Sequence, residues 1–129
     1  MTDFADYATK YQCLKMQRDA GILQLTLHTR GGPLQWGLRP HEELPRAFTD
    51  IGADRENRVV VLTGEGETFS APQVAPDNVV FAEPPTPGQW DVRMWQGRRL
   101  IMNLLDIEVP IIAAVNGPVY RHSELALLN

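Results

Sequence analysis

Near the end of the sequence, Arg121, His122 and Glu124 bring a cation, an imidazole and a carboxylate close together. They follow an apolar run, "IIAAV", that turns at Asn116-Gly117, and they precede a helix expected from Ser123-Glu124 onward. A buried strand ending in a loop that feeds a helix N-terminus is where open α/β sheets bind ligands. The helix end favours developing negative charge. An imidazole there can donate to an oxygen whose charge grows and later return a proton. A second loop, Thr63 to Ala71, follows the apolar run "RVVVLTG". A backbone N–H near Ala71 and donors around His122 could converge on one oxygen, an oxyanion-stabilising site built from two loops.

The other candidates divide between function and structure. Glu124, as the first helical residue, complements the helix dipole without any further role. His41 falls in the first turn of an amphipathic helix, and Trp36 reads equally as a site residue or an apolar plug. His28 alternates with Gln24 and Thr26 and reads as a solvated strand residue. Cys13 is the sole cysteine, so neither a disulfide framework nor a cysteine-rich zinc site is available. It reads as a small buried hydrophobe.

The elements that must position these residues follow from periodicity. Tyr11 to Met16 and Ile22 to His28 have strand character and are joined by the turn Arg18-Asp19-Ala20-Gly21. Leu23, Leu25 and Leu27 share one face of the second strand, which is expected to be antiparallel and half-buried. Leu44, Ala47, Phe48 and Ile51 predict a helix from His41 to Ala53, with Pro45 tolerable only in its first turn. Arg58 to Gly64 and Ile111 to Val115 read as parallel strands covered on both faces. Between them lie a long irregular loop, Pro72 to Pro87, and a helix from Gln89 to Ile107 with Met94, Gly97, Ile101, Leu104 and Leu105 on one face. Helices separating parallel strands define an α/β class.

Composition limits the partners. The chain of 129 residues is one domain's worth, with 43% hydrophobic and 22% charged residues and a net charge of −4. That argues against a nucleic-acid binder. No apolar run reaches membrane-spanning length and no apolar leader opens the sequence, so no membrane partner is expected and the cytoplasm is the expected compartment.

Taken together, "RVVVLTGEGETFSA", "VPIIAAVNGPV" and "ELALL" resemble the crotonase superfamily, the enoyl-CoA hydratase/isomerase fold. The resemblance implies a crotonase-like ββα spiral, with residues 1–129 as the N-terminal portion of a single domain that breaks off inside an element. Members using coenzyme A continue the first loop Ala-Gly-Ala-Asp, where this chain has Ala71-Pro72-Gln73-Val74. Their second loop is glycine-rich, where this chain has Tyr120-Arg121-His122-Ser123. "PLQWGLRPHEEL" and the non-glycine loop are similar to the 6-oxocamphor hydrolase-like β-diketone hydrolases, which use no coenzyme A. That likeness implies retro-Claisen cleavage of a small-molecule ketone without metal or organic cofactor. It puts Trp36, His41 and His122 in the active site, implies a water-activating histidine–aspartate pair beyond Asn129, and implies a homotrimer or hexamer at full length. Two other expectations stand beside it. One is an enoyl-CoA hydratase or isomerase acting on acyl-CoA, in which Glu124 matches the position of a catalytic glutamate. The other is a non-catalytic relative or assembly module.

Overall fold

A computed structural model describes residues 2–72 and 85–129. The elements run α1 (Phe4–Tyr7), β1 (Leu14–Asp19), β2 (Ile22–Leu27), α2 (Leu38–Ala53), β3 (Val59–Gly64), α3 (Pro87–Leu105), β4 (Ile111–Ala114) and α4 (Glu124–Leu127). The sheet order is β1-β2-β3-β4, with β1 antiparallel to β2 and the remaining pairs parallel. The fold is mixed α/β, as its patterning implies. Most of the predicted loop between Pro72 and Pro87 lies outside the described residues.

The first hairpin turns at Ala20 and Gly21, both at positive φ (48° and 81°), as a two-residue turn matched to strand twist requires. Its partner face is the predicted one: Leu23, Leu25 and Leu27 are buried against Leu44, Ala47, Phe48 and Ile51 in one core. Cys13 is also buried there, and burial raises its thiol pKa, so it behaves as a small apolar side chain. His28 is half-buried rather than solvated, and its Nδ1 accepts the Gly31 N–H at 3.0 Å.

Three expectations need correction. Helix α2 begins at Leu38, so Pro40 occupies its first turn and Pro45 lies in its interior. Pro45 has no N–H for the helix ladder, a defect of about 3 kcal/mol in an isolated helix. Here the ring is buried in the core-facing stripe, and Thr49 Oγ1 and Asn103 Nδ2 both donate to the Pro45 carbonyl. Strands β3 and β4 are covered on one face more than the other. Val60 and Leu62 are buried, whereas Val59 and Val61 are half-buried and Ile112 on the outer strand is exposed. Helix α3 turns inward a face that only partly matches the expected one: Leu104 and also Leu100 are buried and Gly97 and Ile101 half-buried, while Met94 and Leu105 face solvent.

The loops after β3 and β4 are zipped together beyond the strands. Asn116 accepts the Gly64 N–H at 3.1 Å and donates to the Gly66 carbonyl at 2.8 Å. The N–H of Phe69 donates to the Pro118 carbonyl, and that of Tyr120 to the Ser70 carbonyl. Gly117 has backbone so close that a Cβ would meet the Glu67 carbonyl oxygen at 2.0 Å. These contacts extend the parallel ladder as far as a Ser70–Val119 bridge. They carry Arg121 and His122 onto the same end of the sheet as Trp36.

Candidate active site

Four segments meet at that end. The link between β2 and α2 supplies Trp36 and Gly37, and the first turn of α2 supplies His41. The loop after β3 supplies Ser70 and Ala71, and the loop after β4 supplies His122 and Glu124. Trp36 is buried, and its indole Nε1–H donates to Ser70 Oγ at 2.6 Å. Ser70 Oγ in turn donates to the Arg121 carbonyl at 3.0 Å. One hydroxyl thus fastens three loops, and no polar atom in the linkage is left unpaired.

Both histidine rings lie against the indole. The centroid distances are 4.2 Å from Trp36 to His122 and 5.1 Å from Trp36 to His41. The two imidazoles meet Nε2 to Nε2 at 3.0 Å. On its far side His41 Nδ1 lies 2.6 Å from the Gly37 carbonyl oxygen, and His122 Nδ1 lies 2.6 Å from Glu124 Oε1.

Hydrogen-bond partners assign the protons. A carbonyl only accepts, so His41 Nδ1 carries a hydrogen. His41 Nε2 is then a lone-pair acceptor, and His122 Nε2–H donates to it. His122 Nδ1 faces a carboxylate and must donate as well. Three hydrogen bonds need three protons, and two neutral imidazoles supply two. The short contact between His122 Nδ1 and Glu124 Oε1 is that of an imidazolium donating to a carboxylate, which supplies the third. The row therefore reads Glu124 carboxylate, His122 imidazolium, neutral His41, Gly37 carbonyl. The indole face at 4.2 Å suits a cation.

Burial gives His41 the complementary state. Desolvation lowers its pKa to about 4, with the charges of Arg93 and His122 acting in the same sense and its bond to Gly37 and the Glu124 charge opposing them. At neutral pH His41 is a fixed acceptor and His122 a fixed donor. Backbone geometry marks His122 too: its φ is 51°, the left-handed region that glycine enters freely. The loop thus adopts at His122 a glycine-like backbone while carrying an imidazole.

The expected site residues come together unequally. His41, His122, Glu124 and Trp36 form one contiguous cluster. Ala71 does not serve as the expected donor, because its N–H is taken by the Leu34 carbonyl at 2.9 Å. The reason lies in the Leu34 to Trp36 segment, which runs beside Ala71 and needs a partner for its buried carbonyl. Arg121 turns away, its Nε donating to the Pro72 carbonyl. Two residues escaped the sequence analysis. Ser70 stands in the quoted "FSA" and its hydroxyl was the available signal, whereas Arg93, whose Nη1 approaches the Gly37 carbonyl at 3.4 Å, carries no signal on a helix rich in arginine. Among the described residues, no three His, Cys, Asp or Glu side chains gather as metal ligands do, and no helix is long and apolar enough to cross a membrane.

Comparison with known proteins defines the class. The family model for enoyl-CoA hydratase/isomerase matches residues 17–121. The chain belongs to that family, within the crotonase superfamily. A β-diketone hydrolase, ABDH, from the cyanobacterium Anabaena sp. PCC 7120, solved with (S)-3-oxocyclohexyl acetic acid, is 44% identical with a TM-score of 0.83. The match covers 92% of this chain and 47% of that one. An enoyl-CoA hydratase/isomerase from Mycobacterium paratuberculosis shares the fold at 23% identity and a TM-score of 0.69, over 83% of this chain and 42% of its own. The chain thus spans less than half the length of these relatives.

Proposed function

We propose that this sequence carries one half of the site of a β-diketone hydrolase, which cleaves a carbon–carbon bond between two carbonyls by a retro-Claisen reaction. The observation that carries the reading is the His122–His41 pair, a donor and an acceptor fixed over Trp36 where coenzyme A-using members have a glycine-rich loop. The 44% identity to the Anabaena enzyme supports the same choice.

A substrate ketone oxygen takes the place of His41 Nε2 as acceptor of the His122 Nε2–H. Water adds to that polarised carbonyl carbon and gives up a proton. The bond to the neighbouring carbon breaks, and its electron pair passes into the enolate of the second ketone. His41, released from His122, turns its unprotonated Nε2 to the proton that water gives up and passes it on to the enolate. The proton from water ends on the enolate carbon, and the product is a keto acid. Glu124 holds the His122 ring and balances its charge, so His122 keeps a proton to donate. The complete enzyme is a soluble, cytoplasmic trimer or hexamer on this reading, and needs no metal or organic cofactor.

The family match favours a second reading, hydration or isomerisation of an acyl-CoA. Against it, the Ala71 N–H is bonded within the fold and the Glu124 carboxylate is engaged by His122. The test is a chimera that continues residues 1–129 with the remaining half of the Anabaena enzyme, assayed on a bicyclic β-diketone and on crotonyl-CoA. The expected result is diketone cleavage that falls roughly 10²-fold in His122→Ala, the usual loss for one preorganised donor. Turnover of crotonyl-CoA, or diketone cleavage indifferent to that substitution, would revive the hydratase.

A further inference from the structure

Between the first turns of α2 and α3 lies a cavity of about 510 Å³, lined by Leu38, Thr86, Gln89, Val92, Arg93 and Gln96. Its size is that of a small-molecule site. Leu38 and Val92 give it apolar walls, and Thr86 and Gln89 are occupied in capping α3, each bonding the other's backbone. The cation here is Arg93. Its Nη1 approaches the Gly37 carbonyl at 3.4 Å, the same oxygen that receives His41 Nδ1–H. Its Nη2 is buried and has no hydrogen-bond partner among the described residues.

A guanidinium nitrogen removed from water without an acceptor costs free energy until an acceptor arrives. Nη2 has no acceptor among the described residues, and the carbonyl contact at Nη1 is long. We propose that Arg93 is the carboxylate anchor of this site, holding the anionic end of a ring-sized apolar monocarboxylate in the cavity between α2 and α3. A guanidinium matches a carboxylate with paired, parallel N–H donors, and Leu38 and Val92 offer the rest of such a ligand a surface to bury. Burial also lowers the Arg93 pKa, against the opposing charge of Glu42, as expected for a cation short of counter-charge. The carbonyl shared with His41 places the anchor beside the imidazole pair. Identifying the carboxylate as the keto acid product of diketone cleavage rests on the hydrolase reading; the preference of Arg93 for an anion does not.

The experiment titrates the 129-residue chain with cyclohexylacetate and with its methyl ester, which keeps the ring and loses the charge. Calorimetry reads affinity, and a histidine-detected NMR titration reads location through His41. The acid should bind at least tenfold more tightly than the ester, as expected for a hydrogen bond to a charged group, and shift the His41 signals. In Arg93→Gln the preference should vanish while ester binding stays as it was; Arg93→Lys, which keeps charge without the planar fork, should recover part of it. Equal binding of acid and ester by the wild type, binding that leaves His41 unmoved, no binding, or unchanged selectivity in a folded Arg93→Gln chain would each overturn the proposal. Selective binding together with a chimera inert on diketones would sink the hydrolase reading and leave the anchor standing. Diketone turnover without acid selectivity would do the reverse.

Discussion

His41 and His122 stand 81 residues apart in sequence and 3.0 Å apart at Nε2, with His41 the acceptor and His122 the donor. Neither ring could hold this relationship alone. Each has its other nitrogen tied, His41 to the Gly37 carbonyl and His122 to Glu124. Both rest on an indole that Ser70 keeps in place.

Acid should act on the pair through His41. Its pKa falls from 6.5 unfolded to about 4 folded, so the unfolded chain binds the proton first as pH drops. The contribution is fully present above pH 6.5 and is lost progressively toward pH 4. Thermal unfolding of wild type beside His41→Gln should show a wild-type melting temperature that declines more steeply across that window. Parallel curves would mean that His41 is not held neutral by burial.

Backbone strain at His122 gives a second test. With φ at 51°, a residue bearing a Cβ costs about 1 kcal/mol more than glycine. His122→Gly should therefore be about 1 kcal/mol more stable than His122→Ala in urea unfolding, although both lose the same imidazole. Equal midpoints would contradict the left-handed assignment.

Ser70→Ala should destabilise the chain by about 1–3 kcal/mol, because the buried Trp36 N–H loses its acceptor. The change also frees the Arg121 carbonyl, so the His122 NMR signals should broaden or shift. A neutral effect on both stability and His122 would show that the hydroxyl does not fasten the loops.

Gly117→Ala probes the zipped loops directly. The added methyl would press on backbone, at 2.0 Å from the Glu67 carbonyl oxygen, which no side-chain rotation relieves. A loss of more than about 3 kcal/mol, or failure to fold, is expected for backbone displacement of this kind. Retention of wild-type stability would show that the loops after β3 and β4 are not in register.

Much of this arrangement was legible in the sequence. Alternating leucines and the Ala20-Gly21 turn predicted the hairpin, and "RVVVLTG" and "IIAAV" the parallel strands, because local periodicity decides such elements. The inward face of α3 was legible only in part: Leu104 is buried as expected, but Met94 and Leu105 are as apolar as Leu100, and only tertiary packing selects among them. Pro45 misled for a related reason, since only tertiary packing shows that its ring is buried in the core-facing stripe of the helix. At the site, motif and loop position pointed to His122, and family likeness to His41 and Trp36. The pairing of the histidines was invisible, as was the loss of the Ala71 N–H to Leu34. Both depend on how segments distant in sequence approach one another.

The arrangement of protons along the row is the central claim, and the nitrogen chemical shifts of 15N-labelled histidine at neutral pH test it most directly. His41 Nε2 should appear as an unprotonated nitrogen, with His41 Nδ1 and both nitrogens of His122 protonated, and a scalar coupling should cross the Nε2–H···Nε2 bond. An unprotonated His122 Nδ1, or two independently titrating imidazoles without that coupling, would contradict the donor assigned to His122.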